Sequence, residues 1–396
     1  MTVTSDTSRV EIPPWILPVI VIAQFATTSL WFSGNAIMPD LRVLWDLPPS
    51  AVGTVTSAVQ LGFVLGTLTF AVLAISDRFP ASHVFLFCAL AGALCNLSIY
   101  LVGHGLLSLV LLRFLTGFFL AGVYPVGMKI AASWCVHGLG RALGYLVGAL
   151  VLGTAFPHLL RGMGAHLDWK AVLISVSVIA ALGGFAVYAL VPPGPHLVAR
   201  SPFDIHALPR VFASRDLRSA AFGYFGHMWE IYTLWAFTPA ILRYYGEHHG
   251  LADLNVSLWS FFVIAAGALG CAVGGLVAFN IGSARVAFFQ LAVSGAACLL
   301  SPLMFQAPPP VFFTFMIVWG VTVAGDSPQF STLTAGAAPR AYVGTALTIV
   351  NCIGFAITAV SIQVMTVLGH VWGMEYLFLA LAPGPLLGLL ASRRLL

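Results

Sequence analysis

Apolar stretches of about 20 residues recur along the whole chain and are separated by short polar links. A helix of about 20 apolar residues is long enough to cross the hydrocarbon core of a bilayer, with every peptide group paired inside the helix. The composition agrees, because 60% of the 396 residues are hydrophobic and only 8% are charged, whereas about 25% is usual for soluble domains. The sequence therefore predicts an all-α polytopic membrane protein.

The apolar windows give twelve predicted transmembrane helices in two groups of six. The first six lie near residues 15–38, 51–74, 81–102, 107–130, 139–161 and 170–192. The second six lie near residues 218–242, 256–279, 284–304, 310–335, 342–367 and 372–391. Residues 193–217 between the groups are polar and rich in proline, which indicates a linker. We therefore predict an N-terminal bundle over residues 1–192 and a C-terminal bundle over residues 218–396.

Lysine and arginine are distributed unequally between the two sides of this predicted membrane protein. If the N-terminus lies inside, twelve of the 17 basic residues fall in inner loops or helix ends, and four fall outside. Cytoplasmic loops carry the excess of basic residues, so both termini and the linker are predicted to be cytoplasmic, in a cell inner (plasma) membrane. The basic residues form no patch, which argues against nucleic acid as a partner.

Short motifs in the two halves match at a nearly constant spacing. Three pairs agree, in chain order, at shifts of 203 or 204 residues. They are Ser29-Leu30-Trp31 with Thr233-Leu234-Trp235, Gly122-x-x-Pro125 with Gly325-x-x-Pro328, and Gly140-x-Ala142-Leu143 with Gly344-x-Ala346-Leu347. Each half has an even number of spans, so the repeat is predicted to be parallel, with a binding site near the midplane between two bundles.

Twelve helices in two parallel six-helix bundles, with both termini inside and a long central loop, resemble the major facilitator superfamily. The loop signature of that family, G-x-x-x-D-R-x-G-R-R, corresponds to residues 73–82, in which only Asp77 and Arg78 match. The resemblance implies that these two residues act in gating, as a weakened latch. An ordinary charge pair in a cytoplasmic turn is the alternative.

The fourth predicted helix carries Arg113 about one third of the way along its apolar segment. A charge at this depth faces protein or a water-filled cavity rather than lipid. Arg113 is interpreted either as a functional cation on a cavity wall or as a side chain that holds a neighbouring carbonyl. With Gly117 it fits the R-x-x-x-G pattern of the same family, and the resemblance implies a part in proton or substrate coupling. Tyr124 is a further candidate for contact with the solute.

A polar and aromatic stripe marks the first predicted helix. Gln24, Thr28, Trp31 and Asn35 follow one another at steps of four, three and four residues, which places them on one helical face. Such a stripe suits a hydrated cavity, and hydrogen bonds to a neighbouring helix are the alternative.

Two acids lie inside predicted spans and are candidate proton sites. His227 and Glu230 are one turn apart near the middle of the seventh helix, and Asp326 lies beside Gln329 in the tenth. The repeat places Glu230 nearly opposite Trp235, the counterpart of Trp31, so Glu230 is expected either to exchange protons or to anchor an interhelix contact. Asp326 and Gln329 share a face, which indicates a polar pocket or, alternatively, a capped helix break.

Together these features predict a secondary active transporter that moves a small polar or anionic solute by alternating access, coupled to protons. Arg113 favours an anionic group on the solute. A drug or metabolite efflux antiporter is an alternative, although the fifth helix lacks the Gly-Pro pair typical of drug antiporters. A non-transporting sensor with a transporter fold is another.

Motifs for other chemistry do not stand out in the sequence. There is no nucleophile elbow, zinc-protease motif or phosphate loop, so an enzyme is not predicted. Glu247-His248-His249 lacks a third ligand at a suitable spacing, and the six cysteines fit buried packing thiols. We predict no metal and no cofactor, and we expect a monomer whose partners are the solute, protons and the lipid bilayer.

Overall fold

The computed structural model describes residues 13–135, 139–164, 168–196, 209, 212–339 and 342–396, and within these ranges it is helical, with no β-strand. The helices are α1 (Ile16–Leu44), α2 (Ala51–Val72), α3 (Ala81–Val102), α4 (Gly105–Trp134), α5 (Leu139–Gly162), α6 (Trp169–Leu190), α7 (Arg215–His248), α8 (Val256–Ile281), α9 (Ser283–Met304), α10 (Pro309–Ala337), α11 (Val343–Leu368) and α12 (Met374–Leu395). Eleven are long and apolar enough to cross a membrane, by length and composition. The other is α7, a helix of 34 residues with several charged side chains. The all-α fold with twelve membrane helices is confirmed.

Three of these helices are interrupted near their middle. The helical parts are Ile16–Thr28 and Ser33–Leu44 in α1, Gly105–Leu120 and Tyr124–Trp134 in α4, and Pro309–Gly325 and Ser327–Ala337 in α10. The motifs Gly122-x-x-Pro125 and Gly325-x-x-Pro328 lie at the last two breaks. Each proline stands in the first turn of the following helix, where its missing N–H and fixed φ are tolerated. The sequence repeat therefore coincides with a repeated break.

A close helix crossing is also repeated in the two halves. Gly117 of α4 lies against the backbone of Val59 in α2, and Gly320 of α10 lies against the backbone of Val263 in α8. A Cβ atom at either glycine would overlap the carbonyl oxygen of its neighbour. Small residues permit such approaches in membranes, where packing rather than hydrophobicity drives helix association. The two halves are thus assembled around equivalent crossings.

The halves meet along two seams, at which α5 packs against α8 and α2 packs against α11. Polar contacts across the seams include Gln363 Nε2 to Ser57 Oγ at 2.8 Å and Asn255 Nδ2 to the carbonyl of Gly162 at 2.8 Å. Most of the predicted linker, residues 197–208, 210 and 211, lies outside the described residues, as do residues 1–12. The helix α7 begins at Arg215, inside the predicted linker range.

Candidate functional site

A small cavity lies at the centre of the molecule, between the two halves. Helices α4 and α5 line it from one side, and α7, α10 and α11 line it from the other. Its walls include Tyr124, Tyr224, His227, Tyr232 and Trp235. About 30 Å³ is open to the centres of water-sized molecules, which is room for roughly two waters. We call this space the central cavity.

A buried histidine–aspartate pair lies beside the central cavity, with His227 on the cavity wall. Nδ1 of His227 in α7 lies 2.7 Å from Oδ1 of Asp326, and the two side chains are 1% and 0% exposed. Asp326 sits in the break of α10, where the following turn begins at Ser327. Within the described residues, neither ring nitrogen of His227 and neither carboxyl oxygen of Asp326 forms a hydrogen bond of good geometry, so the pair is a close contact between two titratable groups. The structure thus brings together two of the candidates, one from each side of a helix–helix contact.

Glu230 lies one turn after His227 but points elsewhere. Its Oε1 accepts hydrogen bonds from Nε1 of Trp319 at 2.6 Å and from Sγ of Cys298 at 3.4 Å. Its Oε2 accepts from Oγ of Ser294 at 3.0 Å. These partners belong to α9 and α10, so the carboxyl group lies inside the C-terminal half and not on the cavity wall. This contact between helices is the second of the two roles that the sequence predicts for Glu230.

Arg113 is fully buried inside the N-terminal half. Its Nη1 donates to the carbonyl of Leu30 at 2.9 Å and to Oγ of Ser33 at 3.0 Å, and its Nη2 donates to the carbonyl of Trp31. These groups belong to the break in α1, where carbonyls lack intrahelical partners. In this conformation Arg113 therefore donates hydrogen bonds to the carbonyls at the break in α1. This differs from a position on a cavity wall, which was one of the two interpretations of Arg113 from the sequence. Its part in coupling stays a prediction.

Asn96 in α3 extends the polar network of Arg113. Its Oδ1 accepts from Arg113 at 3.3 Å and from Oγ of Ser33 at 2.5 Å. Its Nδ2 donates to Oγ of Ser177 in α6 at 3.0 Å. Sequence reasoning did not select Asn96, although a lone amide in an apolar span is a signal that a polar partner lies nearby.

The predicted stripe on α1 is divided by the break in that helix. Gln24 is buried beside Gly127 of α4, and its amide has no partner among the described side chains. Oγ1 of Thr28 donates to the carbonyl of Gln24 at 2.7 Å, so this hydroxyl is used within its own helix. Trp31 lies in the break and Asn35 follows it, and both have other neighbours. The four residues therefore do not form one continuous wall.

Trp31 belongs to an aromatic cluster that joins the two halves. Its ring lies 5.7 Å from that of Tyr232 and 5.5 Å from that of Phe355, measured between centroids, and both pairs are stacked. Phe63 of α2 contacts Phe355 at 4.5 Å, and Phe32 contacts Trp235 at 6.1 Å. Nε1 of Trp31 also donates to Oε1 of Gln60 at 3.2 Å. We call these six rings the aromatic cluster; they are Trp31, Phe32, Phe63, Tyr232, Trp235 and Phe355.

The remaining membrane candidates take separate positions. Asn35 donates through Nδ2 to Oγ1 of Thr56 at 2.8 Å and lines a second cavity, which is larger than the central cavity. Gln329 is buried in α10, three residues after Asp326, but it is absent from the residues that line the central cavity. Tyr124 does line that cavity, from the N-terminal half.

Comparison with known proteins identifies the family. A family model described as Major Facilitator Superfamily matches residues 20–361. The chain belongs to the Major Facilitator Superfamily. Members of this superfamily are transporters, so the chain is a member of a transporter family and carries the fold expected for one.

Solved structures of the superfamily share the fold at low sequence identity. The human organic anion transporter MFSD10 (TETRAN) has a TM-score of 0.74 at 16% identity, covering 96% of this chain and 100% of that chain. The proton:xylose symporter XylE has a TM-score of 0.74 at 13% identity, covering 96% of this chain and 94% of that one. A bacterial homologue of the human lysosomal transporter Spinster has a TM-score of 0.70 at 12% identity, with coverages of 96% and 94%.

Residues 73–82, which correspond to the superfamily loop motif, run from the end of α2 to the start of α3. Asp77 Oδ1 is 2.5 Å from Nζ of Lys129, which also donates to the carbonyl of Ser76. Lys129 lies in α4 and was counted from the sequence only as an inner charge, because the fold alone brings it to the loop. Arg78 is exposed. Asp77 and Lys129 line a cleft that Thr345 of α11 closes from the C-terminal half, and the gating role of Asp77 and Arg78 stays a prediction.

Proposed function

We propose that this member of the Major Facilitator Superfamily transports a small polar or anionic solute by alternating access and couples that movement to protons. We further propose that it is a monomer in the cell inner (plasma) membrane, with both termini in the cytoplasm. The observation that carries the proposal is the buried pair of His227 and Asp326, of which His227 lies on the wall of the central cavity. A titratable pair inside a membrane protein is by default a functional site.

The pair provides a chemical link between a proton and a solute. The carboxylate of Asp326 favours a proton on Nδ1 of His227, which fixes the tautomer of the ring. Nε2 then accepts a hydrogen bond when the imidazole is neutral and donates one when it is protonated. Because Nε2 has no partner among the described residues, it is free to meet a solute. A change in protonation would therefore change which solute group the cavity binds.

The other walls of the central cavity support a polar or anionic solute. The hydroxyls of Tyr124, Tyr224 and Tyr232, and Nε1 of Trp235, form no hydrogen bond with any described residue. Buried polar groups of this kind are completed by water or by a ligand. All of them can donate, so they suit the oxygen atoms of a carboxylate or a sugar. Structures with this fold include a proton:xylose symporter and an organic anion transporter, so both solute classes occur on it.

The second candidate function is a drug or metabolite efflux antiporter. The aromatic cluster supports it, because stacked rings at the centre of the molecule offer an apolar surface for a flat solute. Symport and antiport differ in the direction in which protons accompany the solute, so one flux measurement separates them.

Reconstitution into proteoliposomes tests the proposed function. Solute panels are assayed with an imposed pH gradient, and internal pH is followed with a fluorescent dye. Asp326→Asn is expected to abolish accumulation against a gradient while solute exchange at equal concentrations continues, because exchange needs no net proton movement. Glu247→Gln, an exposed acid at the end of α7, is the matched control and should behave as the unmodified protein. If the Asp326→Asn variant and the His227→Gln variant both still accumulate solute against a gradient, the pair is not the coupling site.

A further inference from the structure

A second, larger cavity opens on the outer side of the aromatic cluster. It lies between α1, α2, α7, α11 and the start of α12, and about 270 Å³ of it is open to the centres of water-sized molecules. Its basic lining residues are Arg42, Arg243 and His370, and no aspartate or glutamate lines it. We call it the outer vestibule. Arg42 comes from the N-terminal half and Arg243 from the C-terminal half.

The two arginines of the outer vestibule are not neutralised by the protein. Neither forms an ion pair or a hydrogen bond with any described residue, and Nε of Arg42 is buried without a partner. Two acids that are adjacent in sequence to lining residues, Asp40 and Glu375, are engaged elsewhere. Asp40 pairs with Arg161 at 2.7 Å, and Glu375 accepts a hydrogen bond from the hydroxyl of Tyr244 at 2.7 Å. Two unpaired arginines line this cavity, Arg42 half-buried and Arg243 exposed, and a cavity with this lining and no acid attracts anions.

We propose that the outer vestibule is a binding site for a small oxyanion, held between Arg42 and Arg243. The planar guanidinium group binds carboxylate and phosphate through paired N–H···O hydrogen bonds, and such charge-assisted bonds are the strong ones. Ser50 and Thr366 line the same cavity and add hydroxyl groups. The space is large enough for a dicarboxylate and for inorganic phosphate, and these two probes share the recognised chemistry.

This site is separate from the central cavity. The aromatic cluster stands between them, since Trp235 and Tyr232 line the central cavity while Ala236 and Phe237 line the outer vestibule. An anion binds both arginines only in a conformation in which the two halves hold Arg42 and Arg243 close to each other. Binding of the anion therefore stabilises that conformation. We assign the site to capture of the solute from outside, an assignment that rests on the proposed function. The binding of an oxyanion in the outer vestibule does not depend on the proposed function.

Binding to the full-length protein is the first test. Titration calorimetry with succinate and with inorganic phosphate is carried out at constant ionic strength, with chloride as the balancing anion. Arg42→Gln/Arg243→Gln is expected to weaken binding at least about tenfold. Lys170→Gln removes an outer charge that lies over the rings of Tyr100 and Trp169, and it should leave binding unchanged. Preference for succinate over phosphate, or the reverse, identifies the oxyanion class.

Local electrostatic potential is the second measurement, and it needs no identified solute. A cysteine is introduced as Ser50→Cys, and its reaction with an anionic and with a cationic methanethiosulfonate is compared. The native cysteines are buried, apart from the half-buried Cys95, so the unmodified chain gives the background rate. The anionic reagent should be favoured, and the Arg42→Gln/Arg243→Gln background should reduce that preference about tenfold.

Each outcome decides the proposal. Unchanged binding and an unchanged reagent ratio in the double arginine variant overturn it. Loss of binding in Asp326→Asn, with binding kept in the double arginine variant, places the anion in the central cavity and also overturns it. Loss of binding in the double arginine variant alone supports it. If that result is obtained in a protein that shows no proton-driven flux, the outer site stands and the proposed function fails.

Discussion

At the scale of single residues, the membrane-buried charges divide into two groups by what surrounds them. His227 lines the central cavity and contacts Asp326, whereas Arg113 and Glu230 are enclosed within one half each. A charged group that the protein surrounds completely must have its hydrogen bonds satisfied there, because desolvation is costly. We therefore expect the second group to serve mainly stability, and the first to serve coupling.

Arg113→Ala is predicted to destabilise the protein. The change leaves the carbonyls of Leu30 and Trp31 without this donor at the break in α1, and a buried acceptor left unsatisfied costs about 1–3 kcal/mol. Thermal unfolding followed by tryptophan fluorescence should show a lower midpoint. Arg113→Lys keeps the charge with fewer donors, so its midpoint should be intermediate. An unchanged midpoint with lost flux would instead assign Arg113 to transport, and exposed Arg285→Ala is the control.

Glu230→Gln is predicted to lower stability without uncoupling transport. The amide can present one oxygen where the carboxylate presents two, so at least one of Trp319 and Ser294 loses its acceptor. Such a loss costs about 1–3 kcal/mol. Uphill transport per folded molecule, measured in proteoliposomes, should remain. Loss of coupling at unchanged stability would move the proton site to Glu230.

At the scale of secondary-structure elements, the crossings of α2 with α4 and of α8 with α10 control how tightly each half packs. Gly117→Ala and Gly320→Ala are each predicted to destabilise by about 1–3 kcal/mol, because the added methyl group overlaps a neighbouring backbone oxygen. Gly336→Ala in α10 is the matched control, since nothing lies within 4 Å of its added Cβ. Denaturation midpoints in one detergent compare the three variants. Equal midpoints for all three would show that the crossings relax at no cost.

Helix positions were predictable from the sequence, but the neighbours of most polar side chains were not. The span predicted over residues 81–102 coincides with α3, because hydrophobic length alone decides it. The breaks in α1 and α4 were not predicted as breaks, since apolar composition is the same in straight and interrupted helices. Arg113 and the carbonyl of Leu30 are 83 residues apart in sequence, so only the folded bundle reveals that they meet. A position of Glu230 in a contact between helices was one of the two predicted alternatives. The sequence repeat made it available, because it places Glu230 nearly opposite Trp235 on the helix.

At the scale of the whole molecule, alternating access requires the seam between α2 and α11 to open and close. Ser57 and Gln363 meet across this seam, with Oγ and Nε2 2.8 Å apart. Cysteines at both positions, joined by a short bifunctional thiol reagent, are predicted to stop transport, because the cross-link holds the halves together at one seam. Radiotracer exchange in proteoliposomes measures the loss of transport. With a reducible cross-linking reagent, reduction should restore transport.

The control for this cross-link lies within one half. Tyr244 in α7 and Glu375 in α12 also meet, with the hydroxyl 2.7 Å from Oε2, and both helices belong to the C-terminal bundle. A cross-link between cysteines at these positions should leave exchange intact, since a rigid half is compatible with rocking. Continued exchange in the Ser57–Gln363 pair at full cross-linking would show that this seam does not move.

The repeated break in α4 and α10 bears on the ancestry of the transporter. Both copies keep the glycine and the proline, but the residue after the glycine is Val123 in the first copy and Asp326 in the second. His227 likewise stands where the first half has Ala23. Two halves with equivalent breaks need the acid and its histidine partner in only one of them, and this chain carries both in the second half. On the proposed function, the C-terminal copy carries the proton site, and the N-terminal copy is the frame against which it turns.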